Sequence, residues 1–273
     1  MKNQNTFTTA IKTASILVLF FIQNTWAQQS TASAQVTTFT IEAAQLSTSK
    51  KIWVYLPKNY VASAKKYPVL YMHDAQNLFD AKTSFAGEWN VDESLDSLVA
   101  QAIVIGIEHG NDKRTDELTP YKNPKYGGGN ADAYLDFIVQ TLKPEVDKRY
   151  RTKTAAKDTA IMGSSLGGLV SYYAALKYPE VFGKAGIFSP SFWYSNDIYK
   201  LTENTKKIKT KMYFLCGDNE SDEMVPDMQN MIKLVADKKN HNPKLTTAII
   251  IKGGQHSEKL WREHFVNAYL WLF

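Results

Sequence analysis

Short apolar runs punctuate the chain at residues 52–56, 69–72, 103–107, 159–162, 185–188, 212–216 and 247–251. Most are continuous rather than alternating, the pattern of strands buried on both faces. Between them lie stretches of helical spacing at 131–150, 169–178, 225–239 and 257–272. In the first of these, Tyr134, Leu135, Ile138 and Leu142 share one helical face. This alternation predicts an α/β fold with a mostly parallel central sheet and helices on both faces. Strands expected near 39–42 and 51–56 have no helix between them and should form an antiparallel N-terminal edge. Two connections are long. Residues 108–126 are polar and run into Gly127-Gly128-Gly129, which reads as a flexible surface connection. Residues 189–196 carry Phe192, Trp193 and Tyr194, which serve either the core or a substrate.

Composition narrows the picture. A chain of 273 residues with 44% hydrophobic and 22% charged residues fits a single globular domain. The expected division is a signal peptide at 1–27, a disordered lead-in at 28–35 and the domain at 36–273. The signal reading rests on Lys2 and Lys12 ahead of the apolar run 16–22, with Ala27 before the expected cut. That run is too short to span a bilayer, so the mature protein is expected in the periplasm or outside the cell, without a membrane span. The formal charge of +5 includes both of those lysines, and the remaining surplus is scattered. It gives no nucleic-acid footprint. Cys216 is the single cysteine, which excludes an internal disulfide, and its apolar strand marks it as a buried, inert thiol.

The chemistry centres on Gly163-Ser164-Ser165-Leu166-Gly167-Gly168, placed between an apolar strand and a helical stretch. This is Gly-x-Ser-x-Gly in its strand–turn–helix setting, with Ser165 centred between the glycines. A side chain on so sharp a turn is crowded by backbone, and only residues without a Cβ fit beside it. Serine needs a base, and the chain has five histidines. In a nucleophile–acid–base order His73 and His109 come too early. His241 lies in a turn at the wrong sheet edge, and His264 falls among Trp261, Phe265 and Ala268 at helical spacing. His256 follows a strand through Gly253-Gly254-Gln255, so it is the expected base. The orienting acid comes from the run 217–223, whose four carboxylates spacing alone does not separate. Glu223 stands where a calcium loop needs glycine. Oxyanion donors are expected from the N–H of Leu166 and from the loop 73–77.

The segment Tyr71-Met72-His73-Asp74-Ala75-Gln76-Asn77-Leu78-Phe79-Asp80 resembles the His-Asp-Gly-Gln-Asn-Leu-Phe-Asp stretch of an α/β-hydrolase family of esterases. That family includes enterochelin (siderophore) esterases, feruloyl esterases and esterase D-like enzymes. Glu88-Trp89-Asn90-Val91-Asp92, residues 114–120 and Ser189-Pro190-Ser191-Phe192-Trp193 are similar to its other landmarks, so the likeness runs from about residue 51 to the C-terminus. This chain carries Ala75 where the pattern has glycine. The resemblance implies an α/β-hydrolase fold and cofactor-free, metal-free ester hydrolysis through an acyl-serine. It puts the acid at Glu220, with Asp222 second and Asp218 behind, and the second oxyanion donor at Gln76. Trp193, Arg114, His73 and Asp74 are its candidate substrate contacts, and Arg114 and Glu117 form either site lining or a structural ion pair.

The expected function is therefore an exported serine esterase acting on a siderophore, a feruloyl or acetyl carbohydrate, or a short acyl ester. Two alternatives use the same residues differently: an acyltransferase of the mycolyl-transferase type, and a non-catalytic ligand-binding protein on the same scaffold.

Overall fold

A computed structural model of the chain describes residues 29–238 and 242–273. The expected signal segment and His241 lie outside the described residues. The strands are β1 (Val36–Ala43), β2 (Thr48–Tyr55), β3 (Val69–His73), β4 (Ile103–Ile107), β5 (Thr159–Ser164), β6 (Lys184–Phe188), β7 (Lys211–Gly217) and β8 (Thr246–Ile251). They form one 8-stranded sheet in the order β1-β2-β4-β3-β5-β6-β7-β8. β1 pairs antiparallel with β2, Val36 opposite Tyr55, and β2 runs antiparallel to β4. From β4 to β8 every pairing is parallel. This is the α/β-hydrolase architecture, with the antiparallel edge where the missing helix placed it.

The continuous apolar runs have a direct cause. On β3, Val69 and Tyr71 enter one core while Leu70 and Met72 enter the other, so both faces demand apolar side chains. The helices are α1 (Val91–Ser97), α2 (Arg114–Leu118), α3 (Ala131–Asp136), α4 (Lys143–Arg149), α5 (Leu166–Lys177), α6 (Asp197–Asn204), α7 (Met224–Ala236) and α8 (Glu258–Leu272). One core takes Tyr134 of α3, Val170 of α5 and Met228 of α7; the other takes Leu95 of α1 and Phe265 of α8. The helical period over 131–150 appears as α3 and α4 joined by a π-helical segment, Phe137–Leu142. Pro144, which has no N–H to donate, comes two residues after that segment ends, in the first turn of α4.

Three expectations change. β8 carries a continuous apolar run, yet its neighbouring residues Ile249 and Ile250, which point to opposite faces, are 37% and 40% exposed, because β8 is the last strand and both of its faces are only partly covered. The lead-in expected to be disordered is seated in its described part. Ser30 Oγ donates to Asp80 Oδ2 at 2.7 Å, Thr31 Oγ1 to Glu88 Oε2 at 2.8 Å, and the Ser33 N–H to Asp92 Oδ2 at 2.7 Å. The polar composition that reads as disorder here supplies the donors that hold the segment down. The glycine-rich connection is also tied in, with Tyr194 Oη donating to Gly127 O at 2.9 Å and Asn123 Nδ2 to Tyr194 O at 2.7 Å.

Candidate active site

Ser165 sits between the end of β5 and the start of α5 at φ 58°, ψ −121°, a conformation that costs an L-residue about 1–3 kcal/mol. The turn is held from both sides. The Ser165 N–H donates to Phe188 O at 2.9 Å, and the Ser191 N–H donates to Ser165 O at 3.2 Å. A Cβ on Gly163 would stand 2.8 Å from His73 Cδ2 and 2.9 Å from the Gly167 carbonyl carbon. A Cβ on Gly168 would stand 2.6 Å from Phe188 O, whereas one on Gly167 meets nothing nearer than 3.5 Å. Crowding therefore falls on Gly163 and Gly168 rather than equally on Gly163 and Gly167, the two glycines that flank the serine symmetrically. Leu166 is the first residue of α5, so its N–H has no carbonyl four residues back in the helix and joins the positive end of the helix dipole.

His256 Nδ1 lies 2.6 Å from Glu220 Oε2. The other Glu220 oxygen accepts from Ser189 Oγ at 2.7 Å and from the Gly217 N–H at 2.6 Å, and the side chain is 1% exposed. Trp261 Nε1 donates to Ser189 Oγ at 2.8 Å and its ring meets His256 edge-on, 5.0 Å between centroids. The imidazole is thus fixed by a carboxylate on Nδ1, which leaves Nε2 as the nitrogen able to accept a proton. Asp222 is exposed on the same loop and takes no part. Asp218 instead ties two loops together, its Oδ1 accepting from the Gly253 N–H at 2.6 Å.

Ser165 and His256 line one cavity of about 310 Å³ together with His73, Asp74, Gln76 and Arg114. Ser165 Oγ is 3.3 Å from Ser191 Oγ. Arg114 grips Asp74 with Nε and Nη2, at 2.7 and 2.8 Å. Burial alone would raise the pKa of Asp74, but the Arg114 charge and its hydrogen bonds outweigh that and leave the carboxyl below its usual range. Asp74 takes the left-handed conformation, φ 57°, ahead of the single 3-10 turn Ala75–Asn77 that carries Gln76. The strained residue of this loop is therefore Asp74, and Ala75 is accommodated where the family pattern has glycine. Gly106 makes room for it: a Cβ there would lie 2.9 Å from the Ala75 Cβ. His73 is buried with Nδ1 2.7 Å from Tyr134 Oη, and its Nε2 has no hydrogen-bond partner. Burial, reinforced by the Arg114 charge and opposed by Asp74, lowers its pKa to about 4, so it stays neutral at pH 7.

Two expected contacts lie elsewhere. Trp193 is not among the cavity-lining residues; it is 49% exposed and packs edge-on against Tyr126, because its neighbours Phe192 and Tyr194 are the ones that turn into the core. Glu117 forms a buried ion pair with Lys50, 2.6 Å apart, and takes the structural of its two readings. Sequence does not single out Ser189, Ser191, Phe85, Trp89, Glu258 and Trp261, all of which the structure brings to the site. Ser189 and Ser191 were visible only as landmarks after a strand, and Trp261 only as one member of a helical stripe. His109, set aside by chain order, also lines the cavity, with a pKa lowered by burial first.

Comparison with known proteins adds the lineage. A family model described as "Putative esterase" matches residues 43–272. The chain is 29% identical over 238 residues to the uncharacterized protein YbbA of Bacillus subtilis (strain 168), covering 82% of this chain and 93% of that one. It is 25% identical over 219 residues to an endo-1,4-beta-xylanase/feruloyl esterase of Xylanibacter ruminicola, covering 77% of this chain and 27% of that protein. The crystal structure of the enterobactin esterase FES from Shigella flexneri superposes with a TM-score of 0.72 at 18% identity, over 89% of this chain and 61% of that one. That likeness speaks for the fold.

Proposed function

The chain belongs to the Putative esterase family of α/β-hydrolases and is a carboxylic ester hydrolase, and from that premise we propose that it is an exported serine esterase with Ser165 as nucleophile, His256 as base and Glu220 as orienting acid. The observation that carries this reading is the convergence on one cavity of Ser165, on its strained turn, and His256, bound to Glu220.

His256 Nε2 takes the Ser165 proton as Oγ bonds to the ester carbonyl carbon. The N–H groups of Leu166 and Gln76 hold the oxyanion. The bond to the alcohol oxygen then breaks, and the alcohol leaves with the proton from His256. Water attacks the acyl-serine, gives its proton to His256, and the carboxylic acid departs as Ser165 recovers the proton. Phe85, Trp89 and Trp261 offer aromatic surface in the cavity, which suits a flat acyl group such as an aryl or feruloyl unit. Arg114 is already paired with Asp74, so an anionic substrate group has to share that guanidinium. Export rests on the pattern of residues 1–27; among the described residues no helix is long and apolar enough to cross a membrane.

Ser165→Ala tests the reading. The variant should melt like the wild type, lose hydrolysis of p-nitrophenyl acetate by several orders of magnitude, and no longer react with a fluorophosphonate probe. Undiminished turnover in that variant ends the proposal. A panel of feruloyl, acetyl-sugar, short aryl and siderophore esters then reads the substrate class, and an added alcohol acceptor separates hydrolysis from acyl transfer.

A further inference from the structure

Glu88, just ahead of α1, and Asp92 and Glu93 in its first turn bring three carboxylate oxygens within 4.8 Å of one another. Glu88 is 6% exposed and Asp92 is 0% exposed. Acidic residues in a helix's first turn are ordinarily explained by the dipole and by solvent. Solvent serves poorly here, because Glu88 and Asp92 are buried and Glu93 is half-buried. Their partnering is one-sided. The outer oxygens, Glu88 Oε2 and Asp92 Oδ2, accept from Thr31 Oγ1 and the Ser33 N–H. The remaining oxygens, Glu88 Oε1, Asp92 Oδ1 and Glu93 Oε2, are buried without a hydrogen-bond partner, and so is Ser33 Oγ beside them. Among the described residues no lysine, arginine or histidine forms an ion pair with Glu88, Asp92 or Glu93.

Two buried carboxylates and a half-buried one, all ionised with no cation, would repel one another after losing hydration. Burial first, then the hydrogen bond to Asp92, raises the pKa of Glu93 to about 8, so a proton held between the two is what relieves the repulsion when no cation is bound. We propose that Glu88, Asp92 and Glu93 form a binding site for a hard divalent cation, calcium by preference. An all-oxygen donor set selects hard cations over the transition metals that imidazole and thiolate favour. Calcium accepts carboxylate and hydroxyl oxygens at about 2.3–2.6 Å in irregular geometry, so ligands on opposite sides of it stand about 5 Å apart; magnesium needs about 2.0–2.1 Å and keeps several waters. The role is structural. The cation clamps the segment from Ser30 to Ser33 onto the domain and fixes the backbone at Glu88-Trp89. Trp89 stacks on Phe188 with centroids 5.6 Å apart and lines the active-site cavity. The run 218–223, weighed for calcium from sequence, is not involved.

The test is binding to the full chain, stripped with a chelator and dialysed, titrated calorimetrically with calcium chloride and separately with magnesium chloride. Neither titration requires turnover, so failure of the esterase reading and failure of this one are read independently. The wild type should show one saturable calcium site, a higher melting temperature with calcium, and at least about tenfold weaker binding of magnesium. Glu93→Gln, at a half-buried position that holds none of the bonds to the lead-in, should fold and weaken calcium binding at least about tenfold. Absence of a saturable calcium heat at millimolar cation, magnesium bound more tightly than calcium, or an unchanged calcium affinity in Glu93→Gln overturns the proposal.

Discussion

Replacing Glu220 by glutamine tests its proposed role as the orienting acid with little change of shape. In the wild type the carboxylate accepts from His256 Nδ1, Ser189 Oγ and the Gly217 N–H at 2.6, 2.7 and 2.6 Å. The amide keeps one oxygen, so it still satisfies Ser189 and Gly217 and turns its NH₂ toward His256. The imidazole then faces a donor, which favours the tautomer with hydrogen on the wrong nitrogen. It also loses a unit charge that would stabilise the imidazolium. At an effective dielectric near 20, a charge about 4 Å away is worth about 4 kcal/mol. The His256 side chain is 37% exposed, so solvent screening cuts that to about half. Loss of a charge-assisted hydrogen bond adds about 1.5–3 kcal/mol. The total, about 3–5 kcal/mol, corresponds to a fall of roughly 10³-fold in kcat at 1.36 kcal/mol per decade. Steady-state hydrolysis of p-nitrophenyl acetate measures it, with circular dichroism melting as the fold control. Asp222→Asn, on the same loop but exposed, should be indistinguishable from the wild type. If Glu220→Gln stays within about tenfold of wild-type kcat while Asp222→Asn falls, the assignment of the acid is wrong.

Three further outcomes follow from the same structure. Lys50→Met strands the Glu117 carboxylate in a site where both partners are 3–4% exposed, and should cost about 3–5 kcal/mol in urea unfolding; a loss under about 1 kcal/mol would contradict the buried-pair reading. Gly163→Ala forces a Cβ to 2.8 Å from His73 Cδ2 and should lower stability by about 1–3 kcal/mol, read as a melting-temperature drop. His73 has its pKa lowered by burial from the usual 6.5 to about 4, so the unfolded chain takes up its proton first as pH falls. Its contribution is complete above pH 6.5, declines as pH falls toward 4, and totals about 3 kcal/mol. Unfolding curves across that window should show the decline, and His73→Gln should flatten it.

Much of the fold was legible in sequence because its signals are local. The runs on β3 and β4 are apolar at every position, since both faces are covered, and period and length distinguish strand from helix within a few residues. The short helices α1, α2 and α6 escaped because five to eight residues hold at most two turns, too few for a period to emerge. α5 is legible as helix from its spacing over 169–178 and its place after the glycine turn, although nearly all of it is buried and little of a polar face remains.

The candidate site divides along the same line. The turn at Ser165 is written in six consecutive residues, because a side chain on a strained bend dictates the size of its immediate neighbours. Chain order and loop position narrowed the histidines to His256. What contiguous sequence does not hold is which of several equivalent polar groups faces which partner. Four carboxylates lie within six residues of one another, and a loop's backbone path turns Glu220 inward to His256, Asp218 toward Gly253 and Asp222 to solvent. In the same way tertiary packing pairs Arg114 with Asp74, turns Trp193 outward, and seats Ser30–Ser33 on acids some fifty residues away. Residue type decides what a side chain is able to do; only the closed fold, which fixes direction and distance between segments remote in sequence, decides what it meets.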